Sequence, residues 1–184
     1  GAKLFASPFK APKRGQSGIE IGETLPELGK HADKLCLMRG MHTDQPNHPQ
    51  AFLQMHTGLF QFPRPSLGSW VLYGLGTENA NLPGFVSISP PANNGGTANY
   101  GSCFLPAVYQ GTRLGQAGRP MATARIPNLT PPSEARGGKQ KLQLDLIQEF
   151  NRQATPTGPA DPLIAGLMDS YELAYRMQGE LPGI

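Results

Sequence analysis

The spacing of apolar residues predicts two helices in the last third of the chain. In the final one, Asp161 is placed to cap the helix and Pro162 occupies its first position. The helix is predicted to end at Gly179. One of its faces is lined by Leu163, Ile164, Leu167, Met168, Tyr171, Ala174, Tyr175 and Gln178. The other helix is predicted within residues 133–154, after Gly137-Gly138, because Leu142, Leu146, Ile147 and Phe150 follow helical spacing. We expect a C-terminal helical hairpin with the final apolar stripe in the core.

Two short apolar runs predict strands, and the first has the form of a strand that is buried on both faces. Residues 34–39 are continuously apolar between basic ends, and residues 84–89 end at Pro90-Pro91. Three helices are predicted around the first run: one capped by Thr24 that continues to about residue 32, one over residues 50–57, and one capped by Ser66. Strands separated by helices indicate an α/β fold with a parallel crossover.

Glycine and proline are abundant, with 23 + 19 = 42 of 184 residues. This composition is typical of a chain with long loops. We expect a single domain, with residues 1–22 as an extended arm and residues 92–132 as a loop-rich insertion that contains a short strand near Ala122. Cys36 and Cys103 are compatible with two buried thiols or with one disulfide.

The charge pattern excludes some classes of function. The formal net charge is +3, and the basic residues are scattered without the clustered footprint of a nucleic-acid-binding protein. No apolar run approaches the ~18 residues of a membrane span. We therefore expect no nucleic-acid partner and no membrane-spanning segment.

Residues 39–58 hold three of the four histidines and one aspartate. His42, Asp44, His48 and His56 are residue types that bind Zn²⁺ and similar metals. The alternative is that these histidines order a loop and pack on a helix, with Asp44 in a turn. Arg39 and Arg64 are candidates to hold an anionic substrate group by paired hydrogen bonds.

A series of segments in order resembles a known family. They include Gly15-Gln-Ser-Gly18, Leu35-Cys-Leu-Met-Arg39, Met41-His-Thr-Asp44, Arg64-Pro-Ser-Leu-Gly-Ser-Trp70, Tyr73-Gly-Leu-Gly76, Asn81-Leu-Pro-Gly-Phe85, Tyr109-Gln-Gly-Thr112 and Tyr171-Glu-Leu-Ala-Tyr-Arg-Met177. The chain resembles the exported bacterial sulfatase-like proteins of unknown function in the alkaline-phosphatase-like superfamily. The resemblance implies a partial alkaline-phosphatase-like α/β domain with a few mostly parallel strands, and a chain that is a piece of a longer protein. It also implies a divalent metal (Zn, Ca or Mg) and twin-arginine export to the periplasm or cell envelope.

By the same resemblance, residues 47–58 are similar to the segment that carries the nucleophile of sulfatases. Asn47 or His48 stands at the nucleophile's place, so the catalytic candidates are Thr43, Asn47 and His48, and the metal candidates are His42, Asp44 and His48. Thr43 is the nearest hydroxyl, and a metal-bound water is the alternative nucleophile. The expected function is metal-dependent hydrolysis of small-molecule or polysaccharide sulfate or phosphate esters. This piece alone is expected to be inactive and to self-associate. The alternative is a non-catalytic binding or structural protein of the cell envelope.

Overall fold

The structure is a computed structural model of the chain and describes residues 4–126, 129–130, 133, 138–154 and 161–180. The chain divides into two compact units, one up to residue 42 and the other from residue 43 onward. In both, helices are combined with only short strands. None of the described helices has the length and apolar character that a membrane span requires, as the sequence predicted.

The first unit begins with a small hairpin where an extended arm was predicted. Strand β1 (Lys13–Arg14) pairs antiparallel with strand β2 (Ile19–Glu20). The turn between them is anchored by the Asp33 carboxylate, because Oδ1 accepts from the backbone N–H of Gln16 at 2.7 Å and of Ser17 at 3.3 Å. The arm is therefore tied down by a local polar contact.

Helix α1 (Pro26–Gly29) is shorter than expected and is followed by a 3₁₀ turn, Ala32–Lys34. The N-cap residue is Leu25, which makes no capping hydrogen bond, so the prediction that Thr24 caps this helix is wrong. Pro26 still occupies the start of the helix, where a missing N–H costs nothing.

The apolar run at residues 34–39 does not form the predicted strand. Leu37 is 55% exposed and Met38 is 66% exposed. Among the described residues, the strand pairs are β1–β2 and a pair formed by residues 86–88 and 112–114. The run at residues 34–39 therefore has no strand partner among them. A buried strand requires hydrogen-bonding neighbours and cover on both faces, and an apolar pattern cannot supply either. The predicted crossover that began at this strand is therefore also wrong.

Helix α2 (His48–Thr57) opens the regular structure of the second unit. It begins two residues before the predicted start, with Pro49 in its first turn. Its predicted end is confirmed: Gly58 has φ 78° and donates its N–H to the Gln54 carbonyl at 2.8 Å. A left-handed residue of this kind favours glycine and stops the helix.

Helix α3 (Leu67–Leu75) is capped by Ser66 as predicted, because Ser66 Oγ accepts from the Ser69 N–H at 3.4 Å. The two serines and Leu72 face inward, and Ser69 is 0% exposed. Its other apolar side chains, by contrast, lie at the surface. The buried side of α3 is therefore formed by two serines and one leucine.

Strand β3 (Val86–Ile88) confirms the second predicted strand, although it is shorter than expected. It pairs in parallel with strand β4 (Thr112–Leu114), with Val86 opposite Thr112 and Ile88 opposite Leu114. Its partner thus comes from the loop-rich segment that follows it and not from residues 34–39. The strand predicted near Ala122 is wrong, because that position lies in a 3₁₀ turn, Met121–Thr123.

The α/β character is confirmed at this coarse level, as helices with one small parallel pair. The structure does not confirm an alkaline-phosphatase-like sheet.

The ring of Phe85 fills the space beside the β3–β4 pair, since a Cβ added at Gly68 or at Gly111 would meet this ring. Close packing of this kind explains why glycine stands at both positions.

The C-terminal hairpin is confirmed. Helix α4 (Lys139–Ala154) follows Gly138, which has φ 85°, and helix α5 (Pro162–Glu180) is capped by Asp161, whose Oδ1 accepts from the Leu163 N–H at 2.9 Å. The two helices contact each other, and Gln148 Nε2 donates to the Met168 carbonyl at 3.1 Å. Helix α5 continues past Gly179, where its end was predicted.

The burial of this hairpin differs from the prediction. In α5 the buried residues are Gly166 and Met177, whereas Leu163, Ile164 and Leu167 are exposed. In α4 the buried residue is Gln148, at 4% exposure, while the exposed apolar residues are Leu142, Leu146, Ile147 and Phe150. None of the eight residues of the predicted stripe is buried, so the expectation that the apolar stripe of α5 forms core is wrong.

Both cysteines are free and exposed. Neither of the two alternatives drawn from the sequence, a disulfide or two buried thiols, is therefore correct. Cys103 has φ 52°, an uncommon backbone conformation for a residue with a side chain.

Candidate functional site

The polar loop before α2 is held by local hydrogen bonds. Thr43 Oγ1 donates to the Gln45 carbonyl at 3.0 Å and accepts from the Gln45 N–H at 3.2 Å. The Asp44 carboxylate accepts from Gln54 Nε2 on α2 at 3.4 Å. Thr43 therefore stabilises a turn, and Asp44 anchors the loop to α2.

Asn47 and His48 lie at the start of α2. Asn47 is the N-cap residue without a side-chain capping bond, and its carbonyl accepts from the Ala51 N–H at 2.9 Å. Both residues line an open pocket of 720 Å³, together with Pro46, Pro49, Gln50 and Asn94. Gln50 Oε1 is buried and has no hydrogen-bond partner. The structure thus brings Asn47 and His48 together with two amide side chains.

The remaining histidines lie elsewhere. His56 is at the other end of α2, about two helical turns from His48, and stacks on Phe52 with a ring-centroid distance of 6.3 Å. His42 belongs to the first unit, where Nδ1 lies 3.4 Å from the Gly40 carbonyl oxygen. Across the described ranges, no group of three or more His, Cys, Asp or Glu side chains is arranged to hold a metal ion. The metal set His42, Asp44 and His48 stays a prediction.

A second, more enclosed pocket of 350 Å³ lies beside α2. Its walls come from the end of α2, from the segment that turns back after Gly58, and from the loop around residues 97–110. The apolar lining residues are Leu53, Leu59, Phe60, Phe62, Pro63 and Ala98. The left-handed turn at Gly58 connects two of these walls, the end of α2 and residues 59–64.

Two of the polar side chains that line this pocket are engaged in hydrogen bonds. Thr57 Oγ1 lies 2.7 Å from the carbonyl oxygens of both Leu53 and Leu59, and Gln110 Oε1 accepts from the Ser102 N–H at 3.1 Å. Arg64 is the only charged residue among the described lining residues, and no described carboxylate pairs with it. Its guanidinium is therefore free to bind an anion.

Sequence reasoning selected Arg64 but not the apolar wall next to it. The signal was present in Leu59-Phe-Gln-Phe62, an apolar cluster placed directly after a helix end. Arg39, the other predicted anion-binding residue, lies exposed in the first unit. The structure therefore places Arg64 at a pocket and Arg39 at an exposed position of the first unit.

Among the described residues, two ionisable groups have clearly shifted pKa values, and both lie on α4. The hydrogen bond from Lys141 to Asp145 raises the pKa of Lys141. Hydrogen bonds from Arg152 and Gln153 lower the pKa of Glu149. Ion pairs on an exposed helix account for both shifts, so they do not mark a catalytic site.

In class, the protein is a mixed α/β chain with a small parallel sheet, a helical hairpin and an apolar pocket lined by an arginine that pairs with no described carboxylate. It belongs to the family described as a protein of unknown function (DUF1501), whose model matches residues 2–183. No curated protein and no solved structure matches the chain.

This family membership corrects the resemblance drawn from the sequence. The matched family is not a sulfatase or alkaline-phosphatase-like family, so the assignment to sulfatase-like proteins is wrong. The segments that carried the resemblance extend over most of the chain, as the family match does. Only the description "of unknown function" is retained.

Proposed function

We propose that the chain is a binding protein for an amphiphilic anion. The apolar body of the ligand lies against Leu53, Phe60 and Phe62, and its carboxylate, sulfonate or phosphate group pairs with Arg64. The supporting observation is the unpaired guanidinium beside a 350 Å³ apolar pocket. Pockets of a few hundred Å³ with apolar walls and few polar groups are the usual form of small-molecule sites.

The geometry favours binding over catalysis at this pocket. Thr57 and Gln110 are engaged in hydrogen bonds to the backbone. Cys103 lines the pocket, but the described lining residues include no histidine or carboxylate that would act as its base. An arginine with a planar array of donors is suited to hold an anion in a fixed orientation.

Calorimetric titration with octanoate and with octan-1-ol tests this proposal, because the two ligands share an apolar chain and differ in charge. Arg64→Gln is expected to weaken octanoate binding about tenfold or more, as one charged hydrogen-bonding group contributes roughly 1.5–3 kcal/mol. Arg64→Lys is expected to recover part of that loss. Arg113→Gln, at an exposed arginine on β4, is the matched control.

Octan-1-ol binding is expected to be unchanged in Arg64→Gln. An equal loss for the alcohol and the carboxylate would show that the arginine shapes the pocket without pairing with the ligand. Absence of octanoate binding to the unmodified protein would refute the proposal.

A second candidate is metal-dependent ester hydrolysis at the loop before α2. The observation that favours it is that Asn47, His48 and Asn94 line one pocket, next to the unpaired Gln50 Oε1. In this proposal His48 is a ligand or hydrogen-bond donor, and Thr43 or a metal-bound water is the nucleophile. A divalent metal and export to the cell envelope stay predictions with it.

A further inference from the structure

A cavity of 290 Å³, called the α5 pocket from here on, lies beside helix α5. Its other walls are the end of α3, the loop over residues 77–84 and the 3₁₀ turn Ala107–Tyr109. The apolar lining residues are Leu72, Leu82, Val108 and Leu173. The α5 pocket and the pocket of Arg64 have no described lining residue in common.

The α5 pocket carries two charged side chains of opposite sign, Asp169 and Arg176. They are seven residues apart in α5, which places them on the same face of the helix, two turns apart. Their Cα atoms are therefore separated by about 10.5 Å, at 1.5 Å per residue. No described residue forms an ion pair with either of them, and they do not pair with each other. One wall of the pocket thus presents a separated pair of charges.

The guanidinium of Arg176 is held at one edge. Its Nε donates to the Ala80 carbonyl at 3.2 Å. The same loop is attached to α5 a second time, because Asn81 Nδ2 donates to Glu180 Oε1 at 3.2 Å. No described group accepts a hydrogen bond from the terminal nitrogens of Arg176, Nη1 and Nη2. These two donors match the two oxygens of a carboxylate.

The apolar wall of the α5 pocket is close-packed. Leu72 is buried, and a Cβ added at Gly84 would meet both Leu72 and Thr77. The ring of Tyr109 meets that of Tyr73 edge to face, with a centroid distance of 5.2 Å. Contacts of this kind fix the positions of the lining side chains. The pocket is therefore formed before any ligand enters.

We propose that the α5 pocket binds a zwitterionic ligand of dipeptide size with apolar side chains. The ammonium group pairs with Asp169, the carboxylate pairs with Arg176, and the side chains lie against Leu72 and Leu173. Two extended residues span about 7 Å, and the long arginine side chain covers the remaining distance. A free amino acid is too short to reach both charges, and a ligand with a single charge leaves one of them unpaired.

Calorimetric titration of the unmodified protein with three related ligands tests the charge pattern. Leucyl-leucine carries both charges, its N-acetyl derivative lacks the ammonium, and its C-terminal amide lacks the carboxylate, while the two leucine side chains are unchanged. Each derivative is expected to bind about three- to tenfold more weakly, because ion pairs at a solvent-open site contribute modestly. Absence of leucyl-leucine binding, or equal affinity for the three ligands, would overturn the proposal.

Substitution of each charged residue identifies its partner on the ligand. In Asp169→Asn, leucyl-leucine and its N-acetyl derivative are expected to bind equally, while the amide still binds more weakly. In Arg176→Gln the amide is expected to bind as well as leucyl-leucine, while the N-acetyl derivative remains weaker. Such a cycle isolates one contact from general effects on the pocket. An equal loss for all three ligands, with folding verified by circular dichroism, would reduce the residue to a structural role and overturn the proposal.

Matched controls come from α4 and from the other pocket. Asp145→Asn and Arg152→Gln make the same chemical changes at residues that do not line the α5 pocket, and they are expected to leave leucyl-leucine binding unchanged. Arg64→Gln is also expected to leave it unchanged. Loss of leucyl-leucine binding in Arg64→Gln would place the dipeptide in the octanoate pocket and overturn this proposal. Failure of octanoate to bind would not affect it, so the two proposals are tested separately.

Discussion

Ser69 Oγ lies 3.0 Å from the carbonyl oxygen of Gly101, and this hydrogen bond joins α3 to a loop 32 residues later in the chain. Ser69 is fully buried and its hydroxyl is also 3.0 Å from Ser66 Oγ. A buried polar pair of this kind determines which side of the helix faces inward, because its donors and acceptors must be satisfied. The apolar side of α3 is exposed as a direct result of this buried serine pair.

Ser69→Ala is therefore expected to lower the free energy of unfolding by about 0.5–1.5 kcal/mol, because one hydrogen bond is lost while the Ser66 N–H still donates to the Gly101 carbonyl. The midpoint of urea unfolding measures this loss. Ser17→Ala, at an exposed serine, is the control and is expected to change stability by less than about 0.5 kcal/mol. Equal effects of the two substitutions would contradict the role of Ser69.

Gly58 provides a test of the end of α2. Its φ of 78° is costly for a residue with a Cβ, although no atom lies within 4 Å of the Cβ position. Gly58→Ala is expected to destabilise the protein by about 1–2 kcal/mol through backbone strain alone. Gly40→Ala, where the Cβ position is equally open and the φ is not positive, is expected to be neutral or slightly stabilising. A neutral Gly58→Ala, measured by urea unfolding, would count against the left-handed end of the helix.

Gln148 is buried between α4 and α5 with Oε1 unpaired. Gln148→Met is expected to stabilise the protein by about 1 kcal/mol, because it removes an unsatisfied buried oxygen and keeps the volume. Gln143→Met, on the exposed side of α4, gives the baseline for the same chemical change. A lower thermal midpoint for Gln148→Met than for Gln143→Met would show that the hydrogen bond to the Met168 carbonyl outweighs the unpaired oxygen.

The hydrolase candidate predicts how this chain behaves alone. Cleavage of p-nitrophenyl phosphate or sulfate in the presence of Zn²⁺, Ca²⁺ or Mg²⁺ is expected to be no faster than with the His42→Ala, His48→Ala double variant. The physical reason is that a metal site needs several preorganised ligands, and the described residues offer no such group. Activity above the double variant would refute this expectation and favour catalysis at the loop before α2.

Self-association is also expected, with the exposed stripe of α4 as its location. Leu142, Leu146 and Phe150 lie along one side of that helix while its buried side carries Gln148. The weight-average mass from light scattering is expected to rise with concentration, and Leu146→Lys is expected to suppress the rise through the cost of burying a charge. A monomer at every concentration would contradict the prediction.

The sequence by itself determined the ends of several elements. The cap at Ser66, the stop at Gly58 and the start at Asp161 with Pro162 all agree with the structure. These signals are local, because each depends on a hydrogen bond or a backbone angle within a few residues. The candidate Arg64 was also available from sequence, through its residue type.

The tertiary structure alone decided which faces are buried and which strands pair. The strand at residues 86–88 pairs with residues 112–114, and the apolar run at 34–39 has no partner among the described residues. In α3 two serines and one leucine form the buried side. Pairing and burial depend on groups that are distant in sequence, such as the Gly101 carbonyl. Periodicity within one segment contains no information about those groups.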